Sequence, residues 1–353
     1  MTRYNGSRHL VGVSGLVSGV ERDILHPDKL IKFSLSSGHD ARFVNHQLAS
    51  ANARAHIEPL IRTTAGQSGI SGPSLRSTPL VLPPLDEQRR IVAVLEDHLS
   101  RLDAADAYLA SAHARAEAMR LSTVQRLLAG APSAATALED LLDVSIGGVW
   151  GSAPGEEAVD VAVLRVTELR PGGRLDERTA ARRSVSPGQL ASRRLQVGDL
   201  LLEKSGGGPK QPIGRVGLVE AVTQDSVCAN FMQLMRPDPR CALPRFLHLY
   251  LNHLHSRGDT LSMQKASTNI RNIKASEYVR LPVPLPSLGD QHRIVAQAAA
   301  VDAEAEGLKE AVAVATRRGR ALRRAFLTAA FTGRLTGRSS DMDVAEELAE
   351  AAS

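Results

Sequence analysis

Cationic residues in the second half of the chain have the clearest potential for chemistry. Between Lys204 and Arg280 there are eleven Lys or Arg residues and five Asp or Glu residues, an excess larger than the +5 of the whole chain. They concentrate in two segments, SGGGPKQPIGR at 205–215 and MQKASTNIRNIK at 263–274. Glycines let a backbone approach phosphates closely, and Lys, Arg, Gln, Asn and Thr can bind phosphates and base edges. Both segments are candidates for nucleic-acid contact; the alternative is a solvated basic surface.

Signatures of catalysis do not accompany these cations. The glycine-rich segment lacks the Gly-Lys-Ser/Thr ending of a P-loop and leads into a predicted strand rather than a helix. Pro83-Pro84 lacks the flanking groups of an adenine methyltransferase loop, and Glu203-Lys204 lacks the Glu-x-Lys spacing of a common nuclease core. The two cysteines and eleven histidines show no metal-ligand spacing. The sequence therefore predicts a binding protein without catalysis, metal or cofactor of its own.

A repeated stretch indicates which elements position the cationic segments. LPPLDEQRRIVA at 82–93 recurs as LPSLGDQHRIVA at 285–296, an offset of 203 that also relates Phe43 to Phe246. In each copy prolines and an acidic residue precede about forty residues without proline, which predicts long helices over 86–129 and 290–331. An offset kept this far indicates duplication of a globular part followed by a helix.

Both predicted helices carry a stripe with the 4-3 spacing of a coiled coil. The stripe of the first helix is Ile91, Leu95, His98, Leu102, Ala105, Leu109, Ala112, Ala116 and Met119, and that of the second is Ile294, Ala298, Val301, Ala305, Leu308, Val312, Ala315, Gly319 and Leu322. Large residues in one stripe correspond to small residues in the other, which would let the two helices interdigitate. The alternative is that each stripe covers its own globular part.

The repeat divides the chain into six predicted parts: 1–81, a globular part that lacks the front portion present in its counterpart; 82–130, a long helix; 131–137, a linker; 138–284, a complete globular part; 285–335, a second long helix; and 336–353, an acidic tail with a short helix. Predicted strands lie at 10–13, 30–35, 159–166, 195–202, 213–222, 230–235 and 278–283, and shorter helices at 41–55 and 244–255. Strands and helices mix without regular alternation, which favours an α+β fold. The chain start resembles no signal peptide, and no apolar run approaches a membrane span, so a cytoplasmic protein is predicted.

With these features together, the chain resembles the specificity subunits of type I restriction-modification systems. The resemblance rests on VLPPLDEQRRIVA and VPLPSLGDQHRIVA, and on LEDLLDVSIGG, VLRVTELR, VGDLLLEKSGGG, IGRVGLV and STNIRNI in the second globular part. Ser287, Gly289 and Asp290 depart from the usual motif. The resemblance implies two target-recognition domains joined by two long antiparallel coiled-coil helices. Each domain would read one half of a bipartite double-stranded DNA target, and the helices would set the gap between the halves.

The resemblance also implies partners and site residues. Two DNA methyltransferase (modification) subunits would bring S-adenosylmethionine for adenine-N6 methylation, a restriction subunit could join, and a short separate chain could complete the first recognition domain. The candidate DNA contacts are Arg165, Thr167, Lys204, Ser205, Gly207, Lys210, Arg215, Gln264, Lys265, Ser267, Thr268, Asn269 and Arg271. Two other functions stay open at this point: a coiled-coil scaffold that binds methyltransferase partners without reading DNA, and a nucleotide-using enzyme built on the glycine-rich loop.

Overall fold

The computed structural model of the protein describes residues 1–19, 23–64, 66–130, 133–207, 212–267, 270–335, 337 and 340–351, and it divides into two compact units. Unit 1 comprises Met1–Arg115 and Gly307–Ser353, and unit 2 comprises Ala116–Glu306. In the described part of the chain, no helix combines the length and the apolarity needed to cross a membrane.

Unit 1 begins with a small antiparallel sheet and three short helices. The strands are β1 (Tyr4–Asn5), β2 (Arg62–Thr64) and β3 (Gln67–Gly69), in the order β1-β3-β2, and the helices are α1 (Ala41–Ala49), α2 (Ala51–Leu60) and α3 (Gly72–Arg76). The helical stretch predicted over 41–55 is confirmed, but it is divided into two helices at Ser50. Ser50 separates α1 from α2 because its backbone is extended and its hydroxyl accepts a hydrogen bond from the Ala53 amide, which caps α2.

Two long helices follow the repeated motifs, α4 (Leu85–Ala129) and α8 (Leu288–Phe331), and a C-terminal helix, α9 (Ser340–Glu350), follows them. The predicted long helices and the short terminal helix are thus confirmed. Each long helix contributes one part to unit 1 and one part to unit 2.

The two long helices run antiparallel within each unit. In unit 1 the His98 ring stacks on Phe326 with centroids 4.2 Å apart, and further along α4 Asp103 pairs with Arg323, which lies earlier in α8. In unit 2 Arg120 donates to Asp302 at 3.0 Å. The antiparallel direction predicted for the helices is confirmed in each unit.

Burial along the helices corrects the predicted stripes. In unit 1 Ile91 and Leu95 are buried in a cluster with Phe43 and with Leu322 and Phe326 of α8, and in unit 2 Ile294 and Ala298 join the core. Met119 and Leu308, both placed in the stripes, are exposed. The ends of each helix therefore cover globular cores, which was the alternative interpretation, while the helices also pair with one another within each unit.

The described residues of unit 2 form four small sheets. Its strands are β4 (Ala134–Ala137), β5 (Leu142–Gly147), β6 (Val159–Leu164), β7 (Ala181–Val185), β8 (Leu200–Glu203), β9 (Ser205–Gly206), β10 (Val216–Leu218), β11 (Ser226–Cys228), β12 (Met232–Pro237), β13 (Gln264–Ser267), β14 (Ile270–Ile273) and β15 (Pro282–Leu285). The sheet orders are β10-β8-β12-β5, β11-β6-β7, β13-β14-β9 and β15-β4. Its helices besides α4 and α8 are α5 (Pro187–Arg193), α6 (Pro244–Arg257) and α7 (Ala275–Tyr278). The predicted α+β class is confirmed.

The position of β8 inside its sheet explains why the strand contains three consecutive leucines. Side chains of a strand alternate between its two faces. Leu200 and Leu202 lie in a core cluster with Phe246 of α6, whereas Leu201 lies in a second cluster with Met232. Both faces of the strand are covered, so all three leucines are fully buried.

Several predicted elements are wrong. The small-residue segment 131–137 was predicted to be a linker. Its residues Ala134–Ala137 instead form β4, whose backbone pairs with that of β15. Residues 278–283 were predicted extended, which is wrong for Tyr278, the last residue of the short helix α7, but right from Pro282, where β15 begins. No strand forms at 10–13 or 30–35, where the only bridge joins Thr2 to Leu30, because the described part of unit 1 offers these segments no neighbouring strand.

The motif glutamine has a structural role that its position in the sequence did not show. Gln291 is fully buried; its side-chain amide donates to the carbonyls of Cys241 and Pro286 at 2.9 and 3.0 Å and accepts from the Leu243 amide at 2.8 Å. Gln88 makes two of the corresponding bonds in unit 1, from the Asp40 amide at 2.9 Å and to the Pro83 carbonyl at 2.7 Å. Each glutamine ties the start of a long helix to the start of a shorter one.

Three histidines of α6 make acid sensitivity of unit 2 a testable expectation. Burial lowers the pKa of His248, His253 and His255 below the ordinary value of 6.5. Below about pH 6.5 the unfolded chain therefore binds protons that the folded chain excludes, and stability falls as the pH drops. We expect the urea midpoint of unit 2, followed by fluorescence of the single tryptophan, to be lower at about pH 5.5 than at about pH 7.5.

A pair of variants locates this acid effect. His248→Gln should reduce the loss of stability on acidification, whereas His292→Gln, at an exposed position of α8, should leave it unchanged. An equal loss in both variants would show that His248 is not its source.

Candidate nucleic-acid interface

The structure joins the two basic segments into one small sheet, called the platform here and formed by β9, β13 and β14. Lys265 lies opposite Asn272, and Asn272 lies opposite Ser205 on its other side. The sequence indicated two separate loops, yet their described residues share this sheet. Candidate residues more than fifty positions apart in the chain are thereby brought side by side.

Backbone hydrogen bonds fix the platform to the body of unit 2. The amides of Lys204 and Ser205 both donate to the Phe231 carbonyl, at 3.0 and 3.2 Å, and the Ile273 amide donates to the Lys204 carbonyl at 2.8 Å. The Ser205 hydroxyl donates to Oδ1 of Asn272 at 2.7 Å. The platform is therefore anchored at its base, and its position does not depend on the side chains that face solvent.

The exposed side of the platform combines charge, amide and apolar groups. Lys265 and Asn272 are exposed, and so is the large apolar side chain of Ile270. An ammonium can bind a phosphate, an amide can pair with a base edge, and an apolar group can contact a base face or a thymine methyl group. This mixture can contact a nucleic acid through both backbone and bases.

Lys204 lies at the inner edge of the platform. Its ammonium is 3.5 Å from Oε1 of Gln233, whose amide donates to the Ser145 hydroxyl at 3.1 Å. This lysine is partly buried and so has less freedom than Lys265 to reach a phosphate.

Arg215 and Gln264, both predicted DNA contacts, bind within unit 2. The Arg215 guanidinium forms a bidentate pair with the buried carboxylate of Glu203 at 2.7 and 3.0 Å and donates to the Leu169 carbonyl at 3.0 Å. The Gln264 side chain accepts from the Ile213 amide at 3.3 Å and donates to the Ile213 carbonyl at 2.8 Å. In this geometry both side chains fix residues 213–215, the last part of the glycine-rich segment.

Arg165 and Thr167 both donate hydrogen bonds to a second buried carboxylate, that of Glu168. Arg165 donates to Glu168 at 2.7 Å and to the Thr179 carbonyl at 2.9 Å, and the Thr167 hydroxyl donates to Glu168 at 3.0 Å. Burial would raise the pKa of Glu168, but these hydrogen bonds outweigh it and hold that pKa below its usual range. The pair lies outside the platform strands, in the turn after β6.

The remaining candidates are only partly visible. Lys210, Thr268 and Asn269 lie outside the described residues. Gly207 follows β9 with a φ of +64°, a left-handed conformation that favours glycine, and Ser267 is the last residue of β13. Arg271 lies at the centre of the platform, opposite both Gly206 and Ala266.

Unit 1 contains the same platform, which the sequence-based search for site residues missed. The sheet β1-β3-β2 has the hairpin pairing of β13 and β14 at an offset of 203: Arg62 lies opposite Gly69 as Lys265 lies opposite Asn272. The amides of Arg3 and Tyr4 donate to the Lys29 carbonyl at 2.8 and 3.3 Å, as those of Lys204 and Ser205 do to Phe231. Arg62, Thr63 and Thr64 are exposed on β2.

The signal that could have found this second platform was the repeat itself. Subtracting the offset of 203 from position 265 gives Arg62 as the counterpart of Lys265. Strand β1 of unit 1 follows a different offset, 201, because Arg3 corresponds to Lys204. From Val13, which corresponds to Arg215, the offset is 202: the Thr2 amide donates to the Val13 carbonyl as the Glu203 amide donates to Arg215, both at 2.9 Å. Small differences in loop length hid the equivalence.

Comparisons with curated proteins find similarity to specificity subunits of type I restriction enzymes. No protein-family model matches the chain. The chain is 34% identical to the EcoKI type I restriction enzyme specificity subunit of Escherichia coli K12 over 130 residues, 36% of this chain and 28% of that protein. It is 22% identical to the EcoBI specificity subunit of Escherichia coli over 298 residues, 76% of this chain and 60% of that protein. The chain thus spans less than two thirds of either relative's length.

Solved structures show the same fold. A structure described as the basis of complex assembly and conformational transition of the type I R-M system matches with a TM-score of 0.67 and 20% identity, over 84% of this chain and 72% of that one. The HsdS subunit of Thermoanaerobacter tengcongensis matches with a TM-score of 0.50 and 20% identity, over 84% and 71%. The chain is thus similar in sequence to parts of type I restriction enzyme specificity subunits, and its fold is similar to that of the HsdS subunit.

Proposed function

We propose that this chain reads DNA sequence for a type I restriction-modification complex. The observation that carries the proposal is the duplicated platform: two sheets of equal strand order and hairpin register, each with exposed cationic and amide or hydroxyl side chains. Two such readers in one chain fit a target made of two half-sites. Cations would bind the phosphates, and the polar side chains of each hairpin would select the bases.

The chain's proposed partners follow from the same function. Double-stranded DNA binds the platforms, and two modification subunits dock on the chain and carry the S-adenosylmethionine used for adenine-N6 methylation. A restriction subunit joins the same complex, and a short polypeptide completes the recognition domain of unit 1. In this scheme the chain selects the target and its partners perform the chemistry.

Lys265 provides the first test of the platform. Because Lys265 is an exposed cation on β13, we expect Lys265→Ala to weaken DNA binding by the assembled complex and to reduce the slope of log K against log salt by about one unit. The measurement is a salt titration of binding to target DNA.

Arg240 is a suitable control for this titration. Its side chain is exposed, and it lies shortly after the C-terminal end of β12. Phe231, whose carbonyl anchors the platform, lies directly before the N-terminal end of the same strand. Arg240→Ala should keep the salt slope of the unaltered protein. If Lys265→Ala also keeps it, this platform does not bind phosphates.

Base selection is tested at the segment that connects β13 to β14. The sequence predicts that Thr268 and Asn269 read bases, so replacing either with Ala should change which bases are accepted in one half-site, by about 1–3 kcal/mol for a lost bidentate contact. Sequencing of methylated DNA motifs in cells that carry each variant measures this. Unchanged motifs in both variants would count against these two residues as readers.

A further inference from the structure

Unit 1 exposes an apolar face whose counterpart in unit 2 is buried. The face consists of Val17, Leu25 and Leu30, whose exposed fractions run from 39% to 95%. At the offset of 202 fixed by the shared hydrogen bonds, the corresponding residues are Val219, Val227 and Met232, none of them more than 2% exposed.

The backbone confirms this correspondence independently of the side chains. Thr2 bridges Leu30 as Glu203 pairs with Met232, and the Ile31 amide donates to the Met1 carbonyl at 2.8 Å where Gln233 pairs with Leu202. Met1 therefore stands where Leu202 stands in β8. The two faces are the same surface of one repeated unit.

Unit 2 shows what covers this surface. Val219 and Met232 lie in a cluster with Leu164, Leu195 and Leu201. Val227 lies in another cluster, with Val161, Val163, Val185 and Leu190. These covering residues belong to the segment 138–201.

The same segment completes the sheets at the level of the backbone. β5 pairs with the outer edge of β12, and β6 pairs in parallel with β11. Within the described residues of unit 1, no strand pairs with residues 31–34 in the way that β5 pairs with β12, and none lies beside residues 24–26. Open strand edges and exposed apolar side chains therefore coincide on one face.

We propose that the apolar face of unit 1 binds a polypeptide segment with the strand order and apolar pattern of residues 138–201. Its strands extend the unit 1 sheet beside residues 30–34 and cover Val17 and Leu25, as β5 and β6 do in unit 2. The proposal deepens the proposed function, on which it rests for the reading role of unit 1, by stating which surface receives the completing polypeptide and in what register.

Strand register makes the proposal specific. Since Met1 corresponds to Leu202, a segment that ends at the position of Leu201 leads directly into Met1 with its side chains on the correct faces. A slip of one residue would turn every apolar side chain of a strand to the opposite face. An in-register segment should therefore cover the face, and a shifted segment should not.

The experiment measures access to position 25 in the full chain without DNA. Leu25→Cys is made in a chain with Cys241→Ser; the remaining Cys228 is fully buried, which raises its pKa to about 12 and keeps it unreactive. The labelling rate of Cys at 25 is compared in the chain alone and in the chain preceded by a copy of residues 138–201 joined directly to Met1. We expect the copy to slow labelling at least about tenfold.

Two controls make the result decisive. Val81→Cys, exposed outside the face, should label equally fast in both proteins. A copy that lacks the residue corresponding to Leu201 should fail to protect position 25. Equal labelling with and without the in-register copy, or equal protection by the shifted copy, would overturn the proposal. Slow, concentration-dependent labelling of the unextended chain would assign the face to a second copy of the chain and would also overturn it.

Discussion

Arg215→Ala is expected to lower the stability of unit 2 by about 3–5 kcal/mol, the cost of leaving a buried carboxylate without its partner. Glu203 is only 1% exposed, and the Arg215 guanidinium binds both of its oxygens. Trp150, the only tryptophan, lies in unit 2, so urea unfolding followed by its fluorescence reports this loss. The sequence-based role of Arg215 as a DNA contact predicts a different result, weaker DNA binding at unchanged stability.

A second ion pair in unit 2 serves as the matched control. Arg245 pairs with Glu220 at 2.8 Å, close to the 2.7 Å of Arg215 and Glu203, but both of its side chains are more than half exposed. Arg245→Ala should therefore change stability by about 1 kcal/mol or less. If Arg215→Ala and Arg245→Ala unfold at the same urea concentration, the buried Glu203 carboxylate does not need its ion pair with Arg215 for the stability of unit 2. If Arg215→Ala loses DNA affinity alone, the guanidinium acts on DNA.

Gln291→Ala should have the next largest effect. Removal of this buried side chain leaves the Leu243 amide and the Cys241 carbonyl without their partner, and each unpaired buried group costs about 1–3 kcal/mol. Because these bonds join the start of α8 to the start of α6, we expect the loss to appear as a lower urea midpoint of unit 2.

Gln125 lies exposed on the part of α4 that belongs to unit 2 and provides the control for a glutamine-to-alanine change. Gln125→Ala should leave the Trp150 transition nearly unchanged. A Gln291→Ala protein as stable as Gln125→Ala would show that the repeated glutamine of the motif is not needed for folding. Its recurrence would then require a role outside the fold, such as contact with a partner.

Sequence reasoning was most successful where the signal was local and periodic. The prolines, acidic residues and long proline-free runs placed the two long helices at 86–129 and 290–331, and the structure has them at Leu85–Ala129 and Leu288–Phe331. Strands were predicted less well because a strand requires a neighbour. The segments at 10–13 and 30–35 have strand-like composition but no adjacent strand among the described residues of unit 1.

The candidate site was predicted in part. Composition selected two segments that the structure joins in the platform, but it could not rank the cations within them. Lys265 is exposed, whereas Arg215 is bound to Glu203, and nothing in the local sequence distinguishes them. The pairing depends on β10 lying antiparallel beside β8 with Val216 opposite Leu202, so that Arg215 falls beside Glu203.

The sequence by itself determined the repeat and the two long helices, because helix signals act over short stretches of chain. Only the tertiary structure decided which cations face solvent, that each repeat carries a platform, and that the apolar residues of unit 1 lie exposed where those of unit 2 are buried. These properties depend on contacts between residues far apart in the chain, and burial and pairing exist only after those contacts have formed.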